Sequence, residues 1–261
     1  MGILKEFNFY KCDKCNKDGF IITENSAEKC ECRKQYEFEL KASDILLKSG
    51  LLTYENSTYE EFKQLINRSF DDYKGEDVNN NIKRIKKYVK EFDLKNKPFK
   101  NMHFYIWGEQ GTQKSYTLRT MLVNLACKGK SVYYTFLKNL ISLIIESDRD
   151  ENAKSKLNYI MNVDVLVIDE FEEKRANLWA SGYKENTLIT WLKDRLEVIR
   201  KSTFFISNDS IETMKQSKFG ELYGDLLDRE TKFGRFEFTD RYMDSLSKEE
   251  IQATFASIWD D

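Results

Sequence analysis

The eight residues Gly108–Ser115, with the sequence GEQGTQKS, constrain the fold of this chain more than any other segment. A β-prone run, His103–Trp107, precedes them, and apolar residues at helical spacing follow in Tyr116–Val123. Strand, short loop and helix in this order form the context in which backbone N–H groups at a helix N-terminus cradle phosphate. The segment therefore predicts a phosphate-binding loop, and the alternative is an ordinary turn between a strand and a helix.

The loop departs from the consensus G-x-x-x-x-G-K-[ST] at one position. Gly108, Lys114 and Ser115 match it, but Gln113 stands where the second glycine belongs. We expect Lys114 to reach the β- and γ-phosphates of ATP, and the Ser115 hydroxyl to ligate Mg²⁺. A side chain at position 113 is expected to crowd the β-phosphate or to strain the backbone, and so to slow hydrolysis, although Gly111 returns some freedom. The residues predicted to contact the nucleotide are Gly108, Glu109, Gln110, Gly111, Thr112, Gln113, Lys114, Ser115, Tyr116 and Asp169.

Two later apolar runs end in polar residues. Asp164–Phe171 is nearly continuous and contains Asp169 and Glu170 at its end, which is typical of a central strand in a parallel sheet. Ligands bind at the carboxyl ends of such strands, so Asp169 is predicted to hold Mg²⁺, and Glu170 to orient or deprotonate the attacking water. The run Thr203–Asn208 places Asn208 where it could contact that water or the γ-phosphate. The alternatives are a strand capped by two solvated acids and an asparagine in an ordinary turn.

Four of the five cysteines form two close pairs, Cys12 with Cys15 and Cys30 with Cys32. Each pair supplies two thiolates from one turn, and a hairpin between the pairs would bring them together around a tetrahedral Zn²⁺. A segment this small needs a metal to fold, whereas a redox pair or four unrelated thiols are the rival interpretations. Cys127, in a helical pattern, is interpreted as a small buried hydrophobe.

Composition indicates a globular protein, with 41% hydrophobic and 33% charged residues over 261 positions. No apolar run approaches the roughly 18 residues of a membrane helix, so we expect a cytoplasmic protein with no membrane partner. The net charge of −2 gives no global positive field. Any contact with DNA must therefore come from a local basic patch or from several subunits together.

The remaining periodicity predicts elements around these motifs. Helices are predicted near 33–48, 80–92, 139–146 and 187–200, and strands near 19–23, 131–136 and 235–238. A polar loop over 93–101 and an acidic helical tail over 247–261 complete the pattern.

Taken in chain order, the motifs and elements over about 51–244 resemble those of the AAA+ ATPases of the DnaC/DnaI helicase-loader type and their IstB-type transposition-helper relatives. The resemblance implies an α/β P-loop fold with a central parallel sheet flanked by helices, over 49–261, after a zinc-binding segment and linker helix over 1–48. Lys114 and Ser115 match the Walker A residues, Asp169 and Glu170 the Walker B pair, and Asn208 the sensor 1 residue. Arg229 resembles the arginine finger that a neighbouring subunit inserts, and the alternative is a surface charge paired with Asp225 or Asp228. Arg195 matches a recurrent arginine to which no role is assigned, and Arg235 and Arg241 are both candidates for sensor 2.

The resemblance also implies a task and partners. Subunits that bind ATP with Mg²⁺ would self-associate, hold single-stranded DNA and help to place a hexameric replicative DNA helicase, with the Zn²⁺ segment gripping the helicase. A transposition regulator is the second interpretation, but IstB-type helpers usually lack the cysteine cluster. A non-hydrolysing adaptor or inhibitor is the third. Gln113 favours it, whereas the presence of Lys114, Asp169, Glu170 and Asn208 opposes it.

Overall fold

A computed structural model describes residues 12–15, 19–23, 26–52, 57–94, 101–172 and 182–239. Its centre is a parallel sheet with the strand order β4-β5-β6-β3-β7, and a separate antiparallel hairpin, β1-β2, lies near the amino terminus. The strands are β1 Phe20–Thr23, β2 Ser26–Lys29, β3 His103–Gly108, β4 Val132–Phe136, β5 Val165–Asp169, β6 Ser202–Ile206 and β7 Arg235–Phe238. The predicted α/β fold with a central parallel sheet is confirmed.

Helices cover both faces of this sheet. They are α1 Glu31–Lys48, α2 Tyr59–Ile66, α3 Asn81–Glu91, α4 Lys114–Cys127, α5 Leu137–Glu146, α6 Glu151–Asn162, α7 Gly182–Lys193, α8 Ile211–Lys215 and α9 Lys218–Glu230, with a short 3₁₀ turn at Phe70–Asp72. None of the helices in the described part of the chain is both long and apolar enough to cross a membrane.

Alternation along the strands divides the core into two layers. On β3, Phe104 and Ile106 face the layer formed with α1 to α4, whereas Tyr105 faces the layer formed with α5 to α9. Helix α1 contributes Ala42 and Leu46 to the first layer. It therefore packs with the sheet, and the domain boundary at residues 48 and 49 stays a prediction.

The register of the parallel strands gathers their carboxyl ends at one edge. Ile106 of β3 is level with Ile206 of β6, and Gly108 is level with Phe238 of β7. The carboxyl end of β5 is level with that of β4, where Asp169 pairs with Phe136. The segments that follow β3, β5 and β6 therefore meet above the same edge of the sheet.

The predicted helix over 187–200 is not a single α-helix. Helix α7 ends at Lys193 and continues as a π-helical stretch, Asp194–Ile199. Arg195, at its start, is fully buried, and its guanidinium donates to the carbonyls of Ile160, Met161, Val163 and Ser202 and to the Thr203 hydroxyl. Arg195 thus satisfies carbonyls at the end of α6 and at the start of β6, which assigns it a structural role.

Several sequence-based predictions lie outside the described residues. They are the helical tail over 247–261, the sensor 2 candidate Arg241 and most of the loop over 93–101. Helix α6 is an element that the sequence did not predict.

Candidate nucleotide-binding site and cysteine cluster

The loop from β3 to α4 depends on one glycine for its close packing. Gly108 has φ +149°, and a Cβ built on it would lie 2.0 Å from the carbonyl oxygen of Phe238 on the neighbouring strand. Any side chain at this position would displace the pairing of β3 with β7. Packing within the sheet is therefore enough to require glycine at the first position of the motif.

Lys114 begins α4 and is almost completely buried. Its Nζ donates to the carbonyl oxygens of Gly108 at 2.7 Å and Glu109 at 2.8 Å. It also lies 3.2 Å from Oδ1 of Asn208, which follows β6. Burial lowers the pKa of Lys114 to about 8, although the carboxylate of Asp169 acts in the opposite direction.

Asp169 is the point at which three elements meet. Its Oδ2 accepts a hydrogen bond from the Ser115 hydroxyl at 2.6 Å and a second one from the Tyr134 hydroxyl of β4. Its Oδ1 accepts from the backbone N–H of Glu170 at 2.7 Å. The guanidinium of Arg119 lies over the Tyr134 ring, 4.5 Å from its centroid. This carboxylate is therefore held in one orientation, facing the loop.

The groups above the sheet edge enclose an open cleft of about 380 Å³. Glu170 lines it from a left-handed backbone conformation, with φ +54°. Glu172 also lines it, and its carboxylate accepts the backbone N–H of Asn208 at 2.8 Å. The lining residues are Gln110, Gly111, Thr112, Gln113, Lys114, Ser115, Tyr116, Arg119, Tyr134, Phe136, Asp169, Glu170, Glu172, Ile206, Ser207 and Asn208.

Gln113 has the left-handed conformation that a glycine would adopt at its position, with φ 60° and ψ 20°. Its side-chain amide reaches the segment after the 3₁₀ turn. Oε1 accepts the backbone N–H of Lys74 at 3.2 Å, and Nε2 donates to the carbonyl oxygen of Lys74. The side chain is therefore hydrogen-bonded to a neighbouring segment. The main reason for expecting it to crowd a bound phosphate no longer applies.

The oxygen atoms of Ser115 and Asp169 suit a magnesium ion. Mg²⁺ prefers hard oxygen ligands and is usually bound by one or two protein groups together with phosphate oxygens and water. A hydroxyl and a carboxylate that already lie 2.6 Å apart, beside the phosphate loop, match this donor set.

Arg229 lies away from this cleft. It is in the last turn of α9, which leads to the amino end of β7, and its side chain is 61% exposed. It pairs with Glu197 and Glu230. The sequence had suggested Asp225 or Asp228 as ordinary partners, but within the described residues Asp225 pairs with Lys215, and Asp228 pairs with Lys215 and Arg235.

Arg235, a sensor 2 candidate, is engaged in that same ion-pair network. Its guanidinium contacts Asp228 and lies 3.7 Å from Glu212, and it does not line the cleft. The structure therefore gives no support to Arg235 as a residue that contacts nucleotide.

The four amino-terminal cysteines converge, with all sulfur atoms within 4.8 Å of one another. Cys12 Sγ lies 3.7 Å from Cys30 Sγ, and Cys15 Sγ lies 3.4 Å from Cys32 Sγ. A tetrahedral Zn²⁺ with bonds of about 2.3 Å places its sulfur ligands roughly 3.8 Å apart. All four thiols are free, so the cluster fits zinc rather than a disulfide.

The surrounding backbone explains the short spacing of the second pair. Cys30 occupies the N-cap position of α1 and Cys32 lies in the first turn, so this pair comes from a helix N-terminus. Cys30 N–H also donates to the Gly19 carbonyl at 2.9 Å, which closes the β1-β2 hairpin. Burial and the neighbouring thiols raise the pKa of Cys32. The backbone N–H of Lys14 lowers the pKa of Cys12 to about 7.

The lining residues that sequence reasoning missed include Arg119, Tyr134 and Glu172. Tyr134 lies in a strand that was predicted, but nothing in its local sequence indicates the contact with Asp169. Of the three, Glu172 carried the clearest sequence signal, because it lies two residues beyond the predicted acidic pair.

Comparison with known proteins places this site in context. The sequence model of one family, described as IstB-like ATP binding protein, matches residues 76–233. None of the curated proteins compared with the chain matches it.

Solved structures with a similar fold share little sequence. A crystal structure of DnaI is 22% identical with a TM-score of 0.51, over 69% of this chain and 92% of that one. A crystal structure of the DnaC helicase loader is 19% identical with a TM-score of 0.51, over 69% and 99%. The replication initiator DnaA, bound to AMPPCP and single-stranded DNA, is 17% identical with a TM-score of 0.51, over 71% of this chain and 54% of that one. At these identities, the likeness establishes the fold alone.

Proposed function

The chain belongs to the IstB-like ATP-binding protein family, and we propose that it is a cytoplasmic AAA+ ATPase that helps to load a replicative DNA helicase. One observation carries the ATPase part of this proposal. Lys114, Ser115, Asp169, Glu170 and Asn208 come from three separate segments, and all of them line a single cleft at the carboxyl edge of a parallel sheet.

Each of these residues has a role that its position supports. Lys114 would exchange the Gly108 and Glu109 carbonyls for phosphate oxygens and neutralise their charge. Ser115 and Asp169 would hold Mg²⁺, which supplies charge neutralisation across the β- and γ-phosphates when bound. Glu170 would orient or deprotonate the attacking water, and Asn208, beside Lys114, would fix the γ-phosphate end of the site.

Arg229 is proposed to act on the nucleotide of a neighbouring subunit. It lies in the last turn of α9, the chain enters β7 shortly afterwards, and the cleft lies beyond the opposite, carboxyl ends of the strands. An arginine at this end of the sheet cannot complete its own site. Its exposure leaves it available to another copy of the chain, so ATP binding would favour assembly.

The helicase and DNA parts of the proposal draw on likeness. DnaC is a helicase loader, and one DnaA structure contains single-stranded DNA. The cysteine cluster is proposed to bind Zn²⁺ and to form, with the β1-β2 hairpin, the part that grips the helicase.

A second candidate function is that of an ATPase helper for a transposase. The family match favours it, because the matching family is IstB-like. The cysteine cluster favours the loader. An experiment can separate the two functions. The purified chain, with ATP, is passed over an immobilised replicative helicase and over an immobilised transposase from the native host, and the protein that captures it identifies the partner.

The assembly step can be tested with one substitution and a matched control. Arg229→Ala should give a folded monomer that binds ATP but forms no ATP-dependent oligomer, because exposed ion pairs such as that with Glu197 contribute little to stability. Arg149→Ala removes the same charge from an exposed turn after α5. Molar mass in solution, with and without ATP, is the measurement. If the Arg229 variant assembles as the parent does, Arg229 is not the finger.

A further inference from the structure

Helix α3 carries an unusual concentration of positive charge for a chain with a net charge of −2. Its eleven residues, NIKRIKKYVKE, contain five basic side chains and one acidic one. All five basic residues are exposed, whereas Ile82, Ile85, Tyr88 and Val89 on the other side are buried against the sheet. The basic face is therefore an outer surface of the ATPase core.

The five basic residues are not equivalent. Lys86 pairs with Asp71, and the guanidinium of Arg84 lies over the Phe236 ring, 4.3 Å from its centroid. Both of these side chains already have a partner. Lys83, Lys87 and Lys90 form no ion pair within the described part of the chain.

These three lysines follow one side of the helix. They are spaced four and three residues apart, which keeps them within one face and spreads them over roughly 10 Å of helix axis. We call this set the lysine row. Asp77, the nearest acid at its amino end, is occupied in capping, because its carboxylate accepts the backbone N–H groups of Ile82 at 3.0 Å and Lys83 at 3.2 Å.

The chemistry of the row identifies the kind of partner. A basic helix that binds a membrane surface needs its apolar face for insertion, but here that face is in the core. Protein interfaces have apolar centres and are depleted in lysine, whereas the apolar residues between Lys83 and Lys90 on this helix are buried in the core. A line of ammonium groups on a helix whose apolar side is buried matches the sugar-phosphate backbone of a nucleic acid, where contacts are made mainly through charge.

We propose that Lys83, Lys87 and Lys90 form a surface that contacts the phosphate backbone of single-stranded DNA. This assignment rests on the proposed function, which supplies the strand, and it names the local basic patch that a near-neutral chain requires. One row is too small to bind tightly. A row on every subunit of an ATP-dependent assembly multiplies the contacts along one strand.

The proposal predicts a specific dependence on salt. Each phosphate contact on a single strand adds about 0.7 to the slope of log affinity against log salt concentration, with a negative sign. Losing three contacts should reduce this slope by about 2 for each bound subunit, which corresponds for one subunit to roughly 100-fold weaker binding at 0.1 M salt and little difference near 1 M.

The test compares two triple variants that have the same net charge. Lys83→Ala, Lys87→Ala and Lys90→Ala remove the row. Lys138→Ala, Lys156→Ala and Lys193→Ala remove three exposed lysines from α5, α6 and α7 on the other face of the sheet. The affinity of each protein for a labelled oligo(dT) strand is measured with ATP over a series of salt concentrations. Binding of a fluorescent ATP analogue checks that each variant retains its cleft.

The expected result is a shallower slope and weaker binding for the row variant only, with recovery when the three lysines are replaced by arginine. If the parent binds the strand and both triple variants match it, the row is wrong while the proposed function stands. If the parent fails to bind single-stranded DNA with ATP, both the row and the DNA part of the proposed function are overturned. An equal loss in both triple variants would indicate a general charge effect and would also overturn the row.

Discussion

Replacing Gln113 separates two properties of the phosphate-binding loop, the left-handed backbone at this position and the hydrogen bonds from its side chain to Lys74. Gln113→Gly removes the side chain and also relieves the backbone strain. Gln113→Ala removes the same hydrogen bonds but keeps a Cβ in the left-handed region. The two variants together show whether the Gln113 side chain is only tolerated at this position or stabilises the loop through its hydrogen bonds to Lys74.

The magnitudes follow from these contacts. A left-handed conformation costs a residue with a Cβ about 1 kcal/mol relative to glycine. A hydrogen bond contributes about 1 kcal/mol, and less where water competes, so the two bonds to Lys74 are expected to contribute about 1–2 kcal/mol. Gln113→Ala should therefore unfold about 1–2 kcal/mol more easily, or roughly 3–6 °C lower for a domain of this size. Gln113→Gly should stay within about 1 kcal/mol of the parent, because relief of strain offsets the lost bonds.

Nucleotide binding gives the decisive comparison. Because the amide of Gln113 is held by Lys74, removing it opens no space beside the phosphates, and neither variant should bind ATP more tightly or hydrolyse it faster. Thermal denaturation and titration with a fluorescent ATP analogue measure the two effects. Several-fold tighter binding or faster turnover in Gln113→Gly, with no such gain in Gln113→Ala, would refute the reasoning and restore the view that the side chain crowds the β-phosphate.

Two further predictions concern the rest of the site and the cysteines. Lys114→Ala should abolish ATP binding, whereas Glu170→Gln should keep it and stop hydrolysis, because in the proposed mechanism Lys114 would neutralise phosphate charge and Glu170 would act on water. Equilibrium binding and phosphate release check this, and parental hydrolysis by both variants would show that the site is misassigned. Elemental analysis of protein never exposed to chelator should find about one zinc per chain, and Cys15→Ser should lose it; a parent without zinc would exclude the metal.

The parts of the fold that the sequence predicted are those with strong local patterns. The apolar run before Asp169 and the β-prone run before the loop are buried strands, and β7 has the predicted bounds, Arg235–Phe238. Helix α6 was missed because only Ala153 and Ile160 of its twelve residues are buried, so its apolar periodicity is weak. Its start did carry a signal, because the Asp150 carboxylate accepts the N–H groups of Asn152 and Ala153 as an N-cap.

The contacts that shape the cleft were not predictable in this way. Gln113 and Lys74 are 39 residues apart, and Tyr134 and Asp169 are 35 apart. Each contact depends on where packing brings the two segments, and no local pattern encodes that. One of the two partners of Arg229 shows the same limit. Glu230 is its neighbour in sequence, but Glu197 is 32 residues away, at the end of another helix.

The contacts within the cleft also indicate where nucleotide would act. Lys114 is hydrogen-bonded to two carbonyls and to Asn208, and Ser115 is hydrogen-bonded to Asp169. The side chains assigned to phosphate and to metal thus satisfy one another, so the chain itself fixes the shape of the cleft. Binding ATP would exchange these partners for phosphate oxygens, with limited rearrangement of the sheet. The exposed Arg229, at the opposite end of the strands, has no such fixed role inside its own subunit. A nucleotide should therefore act mainly on the contact between subunits, which makes assembly a more direct readout of ATP than folding stability.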